Sequence, residues 1–292
     1  MTMPHRHDKS AGDDRDVETV LTRTADGVMT ATLNRPHVLN AFNGAATDRL
    51  TRVVAGAEED DDISVLVITG AGRAFSSGYD LAAPPDRDRE FGSAALIKRL
   101  AAFRKPLILA VNGIAVGLGA SMTSLADITV VAHSARLRYP FVGMGLPPEA
   151  GSTYQLPRQI GRQRAFWYLT SGVWVDSAEC VEAGLALERV PDRQLVARAT
   201  EMAIALARQS PDALIETKQL MNGPHRDPLI ASIRAENAAV MRLQDAPMYR
   251  ESVAAFRANR AADLSPENLA TYETTTESPR ADELSAGSES HD

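Results

Sequence analysis

Two short runs, Ile63 to Thr69 and Leu107 to Val111, are apolar on both faces and rich in β-branched and aliphatic residues. A strand of that kind has to be covered on both sides, which is the situation of a central strand in a mainly parallel sheet flanked by helices. Each run leads directly into a segment crowded with small residues. The first continues as Thr69-Gly-Ala-Gly-Arg-Ala-Phe-Ser-Ser-Gly78-Tyr79-Asp80, the second as Val111-Asn-Gly-Ile-Ala-Val-Gly117-Leu118-Gly119-Ala120-Ser121. Ile128 to Ala132 reads as a further strand. An α/β fold is the class that accommodates this order.

Around these strands the pattern is regular. Val17 to Thr24 and Val28 to Asn34 alternate about Asp26-Gly27, as a hairpin does. Asn43 is placed to cap a helix running to about Ala57, and the acidic run Glu58 to Asp62 marks a surface turn. Residues 82–93 hold Pro84-Pro85 and a cluster of Asp and Arg, an exposed loop ahead of a helix ending near Arg104. The second glycine turn leads into a helix expected to end near Asp127. Beyond Leu156 the periodicity is helical. It predicts helices over Arg162–Thr170, from Asp176 (with Glu179 completing a capping box), and over Gln194–Arg208, Pro211–Met221, Pro228–Gln244 and Pro247–Arg260. Trp167 and Trp174 fit helix packing there. The expected organisation is a disordered tail over 1–16, an α/β core over 17–200, a helical region over 201–260 and an acidic disordered tail over 261–292.

Charge and cysteine content narrow the function classes. The net charge of −7 belongs to the end of the chain: residues 261–292 hold eight acids against one base, Arg280, which leaves 30 of the 38 acids and 30 of the 31 bases for the rest. A neutral body without a basic stripe does not suit a nucleic-acid partner. No apolar run approaches the ~18 residues of a membrane helix. The charges of the N-terminal Met1-Thr-Met-Pro-His-Arg-His are not followed by an apolar segment, so a cytoplasmic protein is expected. The single cysteine, Cys180, allows neither an internal disulfide nor a thiolate-rich zinc site, and no metal is expected.

The two glycine segments admit two readings. Glycines serve tight turns, and they also let a ligand approach backbone amides closely. Gly117-x-Gly119 lacks the third glycine of a dinucleotide fingerprint, since Met122 stands there, and neither segment carries the Gly-Lys-Ser/Thr of a phosphate loop. Ser121, in Gly-Ala-Ser-Met-Thr, is not in the Gly-x-Ser-x-Gly context of a serine hydrolase. Amides aimed at an oxyanion remain the functional reading.

Three longer motifs resemble one family. Val65-Leu-Val-Ile-Thr-Gly-Ala-Gly-Arg-Ala-Phe-Ser-Ser-Gly-Tyr-Asp-Leu81 resembles the first signature of the crotonase (enoyl-CoA hydratase/isomerase) superfamily. Lys105-Pro-Leu-Ile-Leu-Ala-Val-Asn-Gly-Ile-Ala-Val-Gly-Leu-Gly119 with Ala126-Asp127-Ile128 resembles the second. Gly143-Met-Gly-Leu146 leading to Leu156-Pro-Arg-Gln-Ile-Gly-Arg-Gln-Arg-Ala165 resembles the third. The resemblance implies a crotonase-like ββα spiral core, a C-terminal helical trimerisation region, a homotrimer or dimer of trimers, and an acyl-CoA substrate whose coenzyme A is part of that substrate rather than a separate cofactor. It implies that the amides of Tyr79 and Leu118 hold the thioester oxygen, whatever side chains those residues carry. Arg35, Leu39 and Ala41 fall in the family's first CoA-contacting loop. Ser77, Gly78, Asp80 and Leu81 fall beside the first amide, with Asp80 placed to brace its turn, and Gly117 and Leu146 border the substrate.

The two glutamates that handle water in the family's hydratases fall on Ser121 and Phe141, which read instead as room for an acyl chain and as pocket wall. Glu149, in Leu146-Pro-Pro-Glu149-Ala-Gly-Ser-Thr153, resembles the essential carboxylate of the 3,2-enoyl-CoA and dienoyl-CoA isomerases. The implied activity is double-bond isomerisation with Glu149 as single acid/base. The alternatives are an enoyl-CoA hydratase with atypical catalytic residues and a non-catalytic acyl-CoA-binding homologue.

Overall fold

A computed structural model of the protein describes residues 18–83 and 93–273. The expectations for the N-terminal tail, for the Pro84-Pro85 part of the 82–93 loop and for the last residues of the acidic tail lie outside the described residues.

The core is a stack of repeated strand–strand–helix turns in two sheets. After the hairpin β1 (Val20–Ala25) and β2 (Val28–Leu33), helix α1 (Gly44–Glu59) is capped by Asn43, whose side chain accepts the Ala46 amide. Then β3 (Val65–Gly70) enters a six-stranded sheet and β4 (Ala74–Ser76) a four-stranded one. The same step recurs twice. Helix α2 (Ser93–Ala102) leads to β5 (Leu107–Val111) and β6 (Ile114–Val116), and helix α3 (Leu118–Ser121) leads to β7 (Ile128–Ala132) and β8 (Arg136–Arg138). Helices α4 (Ser152–Ile160) and α5 (Arg162–Ser171), β9 (Trp174–Asp176), α6 (Ser177–Ala183) and β10 (Glu188–Val190) close the spiral.

The sheet orders are β1-β2-β3-β5-β7-β10 and β4-β6-β8-β9. All pairings are parallel except β1 with β2 and β8 with β9. The fully buried β3 residues Val65–Ile68 and all of β5 form the centre, as their two-sided apolarity requires. The second sheet had no signature in the sequence: strands of three residues embedded in glycine turns are too short to show a period of two.

Helices α7 (Leu195–Ala207), α8 (Pro211–Leu243), α9 (Pro247–Arg257) and α10 (Pro266–Glu273) follow. Several expectations change here. The boundary at residue 200 falls inside α7, whose buried Leu195, Ala199 and Ala203 face β3 and β5, so α7 belongs to the core. The two segments Pro211–Met221 and Pro228–Gln244 are one helix that continues through Pro224 and Pro228. The flanking residues are largely exposed, so water can serve the carbonyls those prolines leave unpaired.

The helix opened by Gly117 stops at Ser121 rather than near Asp127 and tightens into a 3₁₀ turn over Met122–Ser124. There the Thr123 and Ser124 hydroxyls donate to the carbonyls three residues back, at 2.7 and 2.8 Å. Finally, part of the presumed acidic tail is ordered as α10, pinned through Glu251 of α9. That fully buried carboxylate accepts Arg260 Nη1 (2.5 Å), the Asp263 amide (2.7 Å) and the Tyr272 hydroxyl (2.8 Å). Asp176 caps α6 through the amides of Ala178 and Glu179, but Glu179 turns away to accept the Tyr168 hydroxyl, so the capping box is half made. Trp167 is exposed, and Trp174 lies in β9 under the Arg136 guanidinium, 4.3 Å from its ring centre. Among the described residues no helix is long and apolar enough to cross a membrane.

Candidate active site

The site is assembled where the β4 and β6 turns meet. Past β4 the chain passes through Gly78 (φ +88°) and forms a parallel bridge to Phe42: the Phe42 amide donates to Gly78 O at 2.8 Å, and the Asp80 amide donates to Phe42 O at 3.1 Å. Both bonds point towards Phe42, so the residue between, Tyr79, directs its own N–H to the opposite side. On that side lies the end of β6. A Cβ on Gly78 would sit 2.8 Å from Val116 O and 3.7 Å from Gly117 Cα, so this approach is open to glycine alone. Gly117 (φ +54°) caps α3, donating its amide to Arg138 O (3.0 Å) and accepting the Ser121 amide (2.8 Å). Leu118 is the first residue of that helix, where an N–H has no intrahelical acceptor. Two main-chain donors, at Tyr79 and Leu118, are thereby brought side by side.

A network holds the first of them. Leu39 and Asn40 both adopt positive φ, and Asn40 donates its side-chain amide to Ala71 O (2.9 Å) and Ala74 O (2.8 Å) while accepting the Arg35 amide. Asn tolerates the left-handed region because its short polar side chain bonds locally. The Ser76 hydroxyl donates to Asn40 O, and the Ser77 amide to Leu39 O at 2.9 Å. Arg35, expected in the substrate-contacting loop, is turned inward. Its guanidinium donates to Ala41 O (2.6 Å) and pairs with Asp80 (3.0 Å), and it is only 6% exposed. Asp80 braces the turn as expected, accepting the Ala82 and Ala83 amides through its other oxygen. The Leu81 carbonyl accepts Arg257 Nε from α9.

Glu149 enters from the loop before α4. Pro147 and Pro148 fix the chain ahead of it, and Ala150 (φ +61°) and Gly151 (φ +73°) make two consecutive left-handed residues behind it. For a residue with a Cβ this costs about 1–2 kcal/mol. The turn is held by the Ser152 amide and hydroxyl, which donate to Glu149 O, and by Glu236 of α8. Glu236 Oε2 accepts the Gly151 amide at 2.7 Å, and Oε1 accepts the Thr153 amide at 2.9 Å together with the Thr153 hydroxyl.

The Glu149 side chain is 8% exposed, and its Oε1 has no well-formed hydrogen bond. Burial pushes the carboxyl up to about 8. The Tyr79 hydroxyl beside it works in the other direction, and the charge of Glu236 adds to the rise. Tyr249 of α9 also faces this carboxyl, and burial raises its phenol.

Of the other expected residues, Ser121 is buried with no hydrogen-bond partner for its hydroxyl, Phe141 is buried, and Leu146 is half-buried beyond a 3₁₀ turn over Val142–Met144. A cavity of about 510 Å³ lies elsewhere, at the sheet-to-sheet turns between Arg73, Asn112 and Arg136. The sequence reading missed Asn40, Glu236 and the side chain of Tyr79. Glu236 had a signal: with Leu229 and Ile233 it continues an apolar stripe at helical spacing, where an acid has to have a partner.

The ββα spiral thus brings two glycine turns together and sets the buried Glu149 carboxyl beside the Tyr79 side chain. Residues 23–265 match the enoyl-CoA hydratase/isomerase family. The 1,2-epoxyphenylacetyl-CoA isomerase of Escherichia coli is 35% identical over 84% of this chain and 97% of its own length. The 2,3-dehydroadipyl-CoA hydratase of the same organism is 34% identical over 81% and 94%. An enoyl-CoA hydratase/isomerase crystal structure from Pseudoalteromonas atlantica superposes with a TM-score of 0.80 at 29% identity, covering 85% of this chain and all of that one. The chain belongs to the enoyl-CoA hydratase/isomerase (crotonase) family.

Proposed function

We propose that the protein is an isomerase that shifts the double bond of an enoyl-CoA, with Glu149 as its single acid–base group. The N–H groups of Tyr79 and Leu118 hold the thioester oxygen, and a donor already aimed at a developing oxyanion is worth about 2.7–4 kcal/mol. Glu149 takes a proton from carbon 2 of a 3-enoyl thioester, the charge spreads onto the held oxygen, and the same carboxyl returns the proton at carbon 4. The product is the conjugated 2-enoyl thioester, with no atom gained or lost. Coenzyme A arrives and leaves with the substrate, and the enzyme works as a cytoplasmic homotrimer or dimer of trimers.

The observation that carries this reading is the Glu149 carboxyl, buried, with an oxygen left over for a substrate proton and a base strength near neutral pH. Water addition is disfavoured because the two positions that would handle water hold Ser121 and Phe141, neither of which takes a proton at neutral pH. The test is turnover of 3-enoyl-CoA by wild type and Glu149→Gln. The variant is expected to be slower by about 10²–10⁴-fold, and equal rates end the assignment. A 3-hydroxyacyl-CoA product would point to hydration instead. Binding of the thioester without hydrogen exchange at carbon 2 in heavy water would point to a protein that only binds.

A further inference from the structure

The buried residues of the long helix α8 are Leu229, Ile233 and Glu236, on one face. That face packs on the loop carrying Glu149: a Cβ on Gly151 would lie 2.3 Å from Leu229 Cδ1 and 3.3 Å from Ile233 Cγ1. Glu236, 5% exposed, ends the stripe with both oxygens engaged. Every group bonded to it is a donor: the amides of Gly151 and Thr153 and the hydroxyls of Thr153 and Ser232. These donors favour the anion and work against burial, which raises the Glu236 carboxyl. We propose that Glu236 is the positioning residue of this enzyme, fixing the left-handed Ala150–Gly151 turn from the far helix so that the Glu149 carboxyl faces the reacting carbons.

Without Glu236, the buried Gly151 amide and the part-buried Thr153 amide lose their acceptor, and the first costs about 1–3 kcal/mol. The Ala150 backbone, costly in itself, then keeps only the Ser152 bonds to Glu149 O to hold its conformation. The anion also acts on Glu149 directly. Among the described residues, the titratable groups facing Glu149 are Tyr79 from the turn after β4, Glu236 from α8 and Tyr249 from α9. Of these Glu236, when ionised, is the negative charge, and it raises the Glu149 carboxyl, making it the stronger base.

The inference rests on Glu149 as the acid–base group, so its test includes a readout that needs no turnover. The protonated Glu149 carboxyl is followed by its infrared C=O band, assigned by its loss in Glu149→Gln. Exchange of the Gly151 and Thr153 amides with heavy water is followed alongside. In Glu236→Gln the charge is gone, and the new NH₂ meets a donor where a carboxylate oxygen accepted. The Glu149 band is expected to titrate at lower pH than in wild type. In Glu236→Ala both amides are expected to exchange faster, and kcat to fall about 10–10²-fold with KM little changed, as for a misplaced reacting group.

If Glu236→Ala does not fold, the isosteric Gln variant decides through the band and the Gly151 amide. Unchanged titration and unchanged amide protection in folded variants overturn the proposal, as does a rise in KM with kcat intact. If wild type turns over no enoyl-CoA at all, the isomerase reading fails, and the infrared titration still shows whether Glu236 governs Glu149.

Discussion

The two halves of the site are held in opposite ways. The Tyr79–Leu118 half is local: two turns of the spiral, each continuing a strand of the same sheet, are pressed together backbone against backbone. The Glu149 half is remote. Its loop is kept in a left-handed turn by side chains of a helix whose key acceptor lies 85 residues further along the chain. In the proposed mechanism, donors for an oxyanion have to be preorganised and need no chemistry of their own, so the main chain can supply them. A base has to be desolvated and tuned, and that requires neighbours chosen for their side chains.

The largest expected effect comes from breaking the local half. In Gly78→Ala the added Cβ lies 2.8 Å from the Val116 carbonyl oxygen, and φ is +88°. The obstacle is strand backbone with nothing flexible to yield, so the Tyr79 amide has to move. Loss of one such donor corresponds to about 10²–10³-fold in kcat. Steady-state kinetics check this, and a variant within a few-fold of wild type would remove the Tyr79 amide from the mechanism.

The remote half is expected to give more gently. In Gly151→Ala the Cβ meets the tips of Leu229 and Ile233, which can rotate, while φ of +73° adds about 1–2 kcal/mol of strain. A lowered Tm and a loss of activity smaller than that of Gly78→Ala are expected. The second substitution Leu229→Ala should restore part of the activity by making room, whereas no side-chain substitution beside Val116 should rescue Gly78→Ala. Rescue of both, or of neither, would erase the distinction between the two halves.

The same division decides what could be read from the sequence. The central strands Leu107–Val111 and Ile128–Ala132, the Asn43 cap and both glycine turns are local features, and their periodicity or chemistry shows in consecutive residues. The motif register could therefore place Tyr79 and Leu118 at the two glycine turns and Glu149 in the loop before α4. It could not show that Arg35 turns inward to Asp80, or that Asn40 seams two loops. These depend on contacts across 31 to 45 residues. Glu236 is an intermediate case: its place on the Leu229–Ile233 stripe marks it as needing a partner, and only the packing of α8 on Gly151 shows that the partner is the Glu149 loop. Ordering of α10 likewise rests on contacts with α9, the buried Glu251 carboxylate and the Arg250 side chain on Tyr272, against a composition that reads as a solvated tail.

The smallest effect is the one that tests where the halves touch. The amide of Tyr79 belongs to the first half, yet its hydroxyl stands beside Glu149, so this side chain is not interchangeable as the family resemblance alone would allow. With Glu149 titrating near 8, kcat/KM should rise with pH through that region as the carboxyl loses its proton and becomes able to accept one. The Tyr79 hydroxyl favours the ionised form, so Tyr79→Phe withdraws stabilisation from the base, and its midpoint moves to higher pH. At pH 7 less of the enzyme is then active. A two- to tenfold drop is expected, the equivalent of a net hydrogen bond of ~0.5–1.5 kcal/mol. On the alkaline plateau the amide is untouched and the rate should return to that of wild type. Glu236→Gln moves the same midpoint the opposite way, so the double variant should lie between the two. A Tyr79→Phe profile displaced to lower pH, or one depressed equally at every pH, would mean that the hydroxyl acts on something other than the Glu149 proton.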